Sequence, residues 1–234
     1  MFPKVITLIP AAGLGQRLGR PEPKALAPIC AHSILAETVR RLRLCPSVNE
    51  ILVAYTPGYE EQFKMAVPGV HLVLGGGTRQ ESVQLMLNAA AEMHLAKQGD
   101  LVLVHDAARC LIEPENVEAV ICCARKTGAA TLAVPVVDTL VRVKVEAETL
   151  WDVAVPRNDL WQIQTPQVFE FGVLKQAHTA ADKTVVATDD AGLVARLRKV
   201  SLVPGNRSNI KITTPDDLVI AKRLVRREQA DQNS

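Results

Sequence analysis

The chain has 234 residues, 48% of them apolar and 22% charged, a balance that suits a folded domain with a sizeable core. With 27 basic residues against 25 acidic ones and only 3% aromatics, it has neither a duplex-sized electrostatic footprint nor a base-stacking surface, so nucleic acid is not an expected partner. The five cysteines are odd in number and contain no C-x-x-C pair, which argues against a disulfide framework or a zinc site and for a reducing compartment.

In chain order, the apolar run Val5–Ile9 is too short for a signal-peptide core or a membrane span and reads as a buried strand. No later stretch is apolar enough to cross a bilayer, so a cytoplasmic protein without a membrane partner is expected. Ser33 to Leu44 carries Ile34, Leu35, Val39 and Leu42 at helical spacing. Glu50–Tyr55 and His71–Leu74 read as strands, and Gln80 to Leu95 as a helix with Val83, Leu87, Ala90 and Ala91 inward. Asp100–Val104 is a strand ending in His105-Asp106. Pro114 to Lys126 is a helix with proline in its first turn, and Ala129–Val134 another strand. This alternation predicts an α/β fold, a mostly parallel sheet with helices on both faces.

The rhythm changes after Pro135. Residues Val141 to Glu146 alternate apolar and charged, the mark of a half-exposed strand. A turn at Glu146-Ala147-Glu148 and a return through Leu150–Val155 make a hairpin, which needs a cover for its apolar face. That cover is either its own domain or a second subunit. Glu170 to Ala180 then reads as a helix, Thr188-Asp189-Asp190 as a capped helix start, Val200–Val203 and Asn209–Ile212 as strands. Thr214-Pro215-Asp216-Asp217 opens a terminal helix, whose last seven residues are polar and expected to fray.

The segment most informative about chemistry is Pro10 to Lys24, PAAGLGQRLGRPEPK, directly after the first strand. Ligands in open α/β sheets sit at the carboxyl ends of strands. Ala11, Ala12, Gly13 and Gly15 are small enough for backbone amides to approach an anion. Leu18 stands where a dinucleotide fingerprint needs its third glycine, and the Walker G-K-[ST] is missing. What remains is a small-residue loop carrying Arg17, Arg20 and Lys24, suited to a nucleoside triphosphate whose charge shifts during reaction.

This loop resembles the signature of the sugar-phosphate nucleotidyltransferases, and within them the 2-C-methyl-D-erythritol 4-phosphate cytidylyltransferases. The resemblance extends through Gly75-Gly76-Gly77-Thr78-Arg79-Gln80-Glu81-Ser82-Val83, His105-Asp106-Ala107-Ala108-Arg109, Asp138-Thr139, Pro156 to Trp161, Gln164-Thr165-Pro166-Gln167, Thr188 to Ala191 and Asn209 to Thr213. These motifs run in family order from residue 10 to about residue 217.

The resemblance implies a single Rossmann-like domain, residues 1–234, with residues 136–157 as a protruding β-hairpin arm for dimerisation. It implies that Arg17 and Lys24 stabilise the pentacoordinate α-phosphorus and that backbone from Ala11 to Gly15 holds the triphosphate. Gly76, Gly77 and Ser82 would frame the pyrimidine, and Asp106 would touch the ribose or a phosphate-bound Mg²⁺. Arg109, Thr139, Arg157, Thr165 and Lys211 would place the acceptor, a sugar-alcohol phosphate, with Arg157 and Lys211 holding it in line. The implied reaction joins CTP and 2-C-methyl-D-erythritol 4-phosphate. Another polyol phosphate such as ribitol 5-phosphate, or a non-catalytic nucleotide-binding domain, are the alternatives.

On residue chemistry alone, His105 reads as a structural hydrogen-bonder, Asp189 and Asp190 as helix caps, and the cysteines as small buried hydrophobes. The chain departs from the family pattern at Ala25, Gly77 and Cys110.

Overall fold

The computed structural model describes residues 3–19, 21–145, 149–181 and 189–232. Its frame is a seven-stranded sheet. The apolar runs become strands β1 (Val5–Pro10), β4 (Glu50–Tyr55), β5 (His71–Leu74), β6 (Leu101–Val104), β7 (Ala129–Pro135) and β11 (Ser201–Pro204). Strand β10 (Trp161–Glu170) completes it, in the order β11-β7-β10-β6-β1-β4-β5. Every pairing is parallel except those of β10, which runs antiparallel to both neighbours.

Both faces are covered. Alternate residues along the strands feed two separate cores, as the two-residue side-chain period requires. Val5, Ile9, Ile51, Val53, Leu101 and Leu103 face helices α1 (Ile34–Arg43), α2 (Glu60–Ala66) and α4 (Pro114–Thr127). Ile6, Leu8, Leu52, Ala54, Val102 and Val104 face α3 (Arg79–Glu92), α5 (Phe171–Thr179) and α6 (Asp190–Val194). Burial on both faces is why these strands read as continuous apolar runs. A third, smaller core joins Leu18, Ile34, Cys110 and Ile212 to Ala221 and Val225 of α7 (Pro215–Gln232).

Local signals explain the helix ends. Ser33 Oγ accepts the Ala36 amide at 3.1 Å. Thr78 and Glu81 form a reciprocal capping box on α3. Proline opens α4, and Gly128 closes it in the left-handed conformation at φ 76°. A two-strand ribbon, β2 (Pro28–Ile29) and β3 (His32–Ser33), links the first loop to α1.

Two expectations need correction, and two elements appear for which none was made. Trp161–Glu170 is an antiparallel strand that sequence periodicity hides, because Gln162, Gln164, Thr165 and Gln167 make it polar; its register shifts between Ile163 and Gln167. Asn209–Ile212 is not a strand: Asn209 closes a turn on Asn206, and Ile212 N–H reaches Ala108 O at 2.9 Å. The short helix α2 has no strong periodic signature in sequence. The terminal helix does not fray at residue 228: it continues to Gln232, with Glu228 paired to the buried Arg41.

The predicted hairpin is β8 (Leu140–Val145) with β9 (Thr149–Val155), a separate two-stranded sheet. Its turn at 146–148 lies outside the described residues. Val143, Leu150, Trp151 and Val153 are 43–67% exposed, so this chain's own domain does not cover them. Among the described residues, no helix is long and apolar enough to cross a membrane.

Candidate active site

The carboxyl ends of β1 and β6 open onto a cavity of about 200 Å³. The Pro10–Lys24 loop forms one wall. Ala11 donates its amide to Ala54 O at 3.1 Å, extending the sheet by one bond. That amide is therefore spent, and an anion cradle begins one residue later. Among the described residues, the amides of Ala12 and Gly13 have no acceptor and line the cavity.

Gly15 is where the loop depends on glycine. Its φ is +66°, and a Cβ there would stand 2.4 Å from Lys24 Cβ. The close approach seats Lys24, whose Nζ donates to Ile212 O at 2.9 Å. Burial lowers the Lys24 pKa first; the neighbouring Lys211 and Arg17 charges lower it further, against Asp106. Arg17 stands exposed on a single 3-10 turn. Arg20, the third loop cation, lies outside the described residues.

The opposite wall is the glycine run before α3. A Cβ on Gly75 would meet Ala12 Cβ at 2.1 Å, so two small-residue loops face each other directly. Ser82 Oγ accepts the Gly76 amide at 3.1 Å and donates to Thr78 O at 2.9 Å. Its proton is thereby committed to shaping the Gly76–Gly77 wall.

The floor is Asp106, just past β6. Lys211 Nζ lies 2.7 Å from one carboxylate oxygen and Arg79 Nε 2.9 Å from the other. Burial alone would push the carboxyl up, but the Arg79 and Lys211 charges outweigh it and hold it well below the usual carboxylate range. The Asp106 amide donates to Thr165 Oγ1 at 3.1 Å, and that hydroxyl lies 3.1 Å from His105 Nδ1. His105 Nε2 faces the carbonyl of Arg109 at 3.1 Å. A carbonyl only accepts, so Nε2 carries the proton and Nδ1 accepts from Thr165. Burial pulls the His105 pKa down to about 4, so the ring is neutral and structural, as expected.

A second cavity of about 250 Å³ adjoins the first and includes Arg109, Thr165 and Gln167. Arg109 Nη1 donates to Asn209 O at 2.7 Å, and Asn209 Nδ2 donates to Thr165 O at 2.9 Å. This ties the Asn209–Thr213 segment to the bulge in β10. Arg79, Asp106 and Lys211 line both cavities and form the wall between them.

Of the residues expected from sequence, Gly15 and Arg17 are outside the lining of both cavities, whereas Ala11, Ala12, Gly13, Lys24, Gly76, Gly77, Ser82, Asp106, Arg109, Thr165 and Lys211 line them. Thr139 and Arg157 do not: both are exposed at the base of the hairpin, where Arg157 Nη1 donates to Val137 O. Neither lines the two cavities. Asp189 caps α6 by accepting the Gly192 amide at 2.8 Å. Asp190 is no cap: it is a buried carboxylate paired with Arg79 and His178. Arg79 stands inside a motif that carries the resemblance, yet the sequence assigns it no role, because an arginine opening a helix reads as a surface charge. Cys45 and Cys110 are buried, with burial pushing both thiols up to about 12, whereas Cys122 is exposed.

Comparison with known proteins gives the family. The family model for 2-C-methyl-D-erythritol 4-phosphate cytidylyltransferase matches residues 5–227. A protein of that name from Deinococcus radiodurans is 43% identical over 224 residues, 95% of this chain and 90% of its own length. One from Saccharopolyspora erythraea is 41% identical, covering 94% of this chain and 99% of its own. The crystal structure of 2-C-methyl-D-erythritol 4-phosphate cytidylyltransferase from Thermus thermophilus superposes with a TM-score of 0.77 at 38% identity, covering 97% of this chain and all of the other. The chain belongs to the 2-C-methyl-D-erythritol 4-phosphate cytidylyltransferase family.

Proposed function

We propose that the protein transfers the cytidylyl group of CTP to 2-C-methyl-D-erythritol 4-phosphate, a step of isoprenoid precursor synthesis. The observation that carries this reading is the pair of adjoining cavities whose shared wall holds Asp106 and Lys211. A triphosphate in the first cavity meets the backbone amides of Ala12 and Gly13, with Lys24 and Arg17 beside it. A sugar-alcohol phosphate in the second meets Lys211 and Arg109. An oxygen of the acceptor phosphate attacks the α-phosphorus, the bond from that phosphorus to the β-phosphate oxygen breaks, and pyrophosphate leaves. Lys24 and Arg17 offset the charge that gathers on the α-phosphoryl oxygens. A phosphate monoester is already largely ionised near neutral pH, so the attacking oxygen needs no general base.

Mg²⁺ fits this donor set as a metal that travels with the triphosphate. Among the described residues no group of three or more His, Cys, Asp or Glu side chains converges, and Asp106 supplies one ionised carboxylate at the floor. Magnesium typically takes one or two carboxylates, substrate phosphates and water. When bound, it would neutralise phosphate charge beside Asp106.

The exposed apolar hairpin supports assembly through the arm into a homodimer, which would carry Thr139 and Arg157 to a partner's acceptor cavity. Five free cysteines support a cytoplasmic setting. The whole chain reads as one domain carrying this arm. Pyrophosphate release from CTP and Mg²⁺ with each acceptor tests the activity. Release with ribitol 5-phosphate but none with 2-C-methyl-D-erythritol 4-phosphate overturns it. Sedimentation at working concentration tests the arm, and a fully active monomer refutes it.

A further inference from the structure

Three side chains divide the nucleotide cavity from the acceptor cavity, and Arg79 is the one for which cytidylyl transfer itself requires no contact. Resting on that reading of the site, we infer that Arg79 is the positioning residue of the junction: it fixes the Asp106 carboxylate, and through it the Lys211 ammonium, while Asp190 and His178 hold it from behind.

The argument begins with the backbone. Arg79 is the first residue of α3, and the Thr78–Glu81 capping box fixes where that helix starts. The same stretch of chain forms the Gly75–Gly77 wall. The root of the Arg79 side chain is therefore set by the surface that faces the nucleotide.

From that root the guanidinium reaches two carboxylates on separate elements. Nε donates to Asp106 Oδ1 at 2.9 Å, and Nη1 to Asp190 Oδ2 at 2.7 Å. Asp190 places its other oxygen 2.8 Å from His178 Nε2, while the other oxygen of Asp106 takes Lys211. The result is a continuous line, His178–Asp190–Arg79–Asp106–Lys211, running from α5 to the acceptor cavity with the guanidinium between two carboxylates. Asp190 and His178 are each 1% exposed at the side chain, so the rear of the line cannot relax into water. Burial works against the Arg79 charge, but Asp190 and Asp106 outweigh it and keep the guanidinium protonated.

The front of the line needs this support. Lys211 is 42% exposed at the side chain and lies outside any strand or helix. A long lysine on irregular backbone keeps one geometry only if its partner is fixed. Asp106 is fixed by Arg79 on one oxygen, leaving the other directed at Lys211. A lysine at position 79 would offer one nitrogen where the guanidinium offers a fork, so it cannot replicate the bridge.

A purely structural pin between α3 and α6 predicts something different: lower thermal stability with unchanged turnover in the folded protein. The test uses the full chain with CTP, Mg²⁺ and 2-C-methyl-D-erythritol 4-phosphate. It compares wild type with Arg79→Gln, Arg79→Lys and Asp190→Asn, reading kcat, KM for each substrate and Tm. Arg79→Gln is expected to lower kcat about 100-fold with KM for CTP within about threefold, the scale of a small misplacement at the reacting centre. Arg79→Lys stays at least about tenfold low because charge returns without the fork. Folded variants with wild-type kcat overturn the inference, whatever their Tm. If Arg79→Gln does not fold, wild-type kcat in both Arg79→Lys and Asp190→Asn overturns it equally. A wild-type protein that releases no pyrophosphate overturns the functional reading and this inference with it; an active wild type with indifferent variants overturns this inference alone.

Discussion

Replacing Gly15 by alanine separates two costs that the loop geometry predicts. The first is conformational. Gly15 sits at φ +66°, where an L-residue costs roughly 1–2 kcal/mol. At about 2–4 °C per kcal/mol for a chain of this size, that alone lowers Tm by about 2–8 °C. The second is steric. The new Cβ would lie 2.4 Å from Lys24 Cβ, against about 3.5–4 Å for a carbon–carbon contact, so one of them must move by more than about 1 Å. Lys24 cannot yield by swinging a flexible tip, because the clash is at the root of its side chain. That root is tied down by the neighbouring buried Ala25 and by the Ala27 amide on Lys24 O at 3.0 Å. The ammonium is therefore displaced from its 2.9 Å contact with Ile212 O, and a displacement of that size lowers kcat about 100-fold. Gly19 supplies the control. It has the same φ of +66° but nothing within 4 Å of its would-be Cβ, so Gly19→Ala loses stability yet retains most of its kcat. Melting curves and pyrophosphate-release kinetics on both variants decide the matter. If Gly15→Ala and Gly19→Ala have equal kcat, close approach to Gly15 does not seat Lys24 and the reasoning fails.

Lys24→Ala removes the charge proposed to face the α-phosphoryl group; kcat is expected to drop by about 100- to 1,000-fold with a much smaller change in CTP affinity. Initial-rate kinetics check this, and a variant altered only in KM for CTP would make Lys24 a binding residue. The neutral, buried His105 makes stability pH-dependent. Its pKa is about 4 in the fold against about 6.5 unfolded, so its contribution is complete above pH 6.5 and fades as the pH falls towards 4, by about 3 kcal/mol in all. Denaturant titrations along that range should show the loss, and His105→Gln should flatten it. Phe169, wholly buried between β10 and the α5 side of the sheet, should cost about 3–5 kcal/mol as alanine, read from the urea midpoint at constant m.

Much of this architecture was legible because burial writes itself into a linear pattern. Strands covered on both faces must be continuously apolar, so β1, β4 and β6 announced themselves, and capped helices such as α3 and α4 carried their own boundary residues. The small-residue loop after β1, with its cations, was legible for a similar local reason: close approach of backbone to an anion excludes side chains. Strand β10 was not legible, because its polar residues line the second cavity and a register shift breaks its alternation. Nor was the role of Asp190, whose neighbours along the chain suggest a cap while its partners come from α3 and α5.

The sequence by itself determined the α/β class, most of its strands and helices and the small-residue loop with its cations, since each depends on residues adjacent in the chain. Only the tertiary structure decided which charges meet. Arg79, Asp106, Asp190 and Lys211 are separated by up to 132 positions and come from four different segments. Their pairing depends on distances that fall off within a few ångströms, and no pattern of spacing along a chain encodes those before it folds.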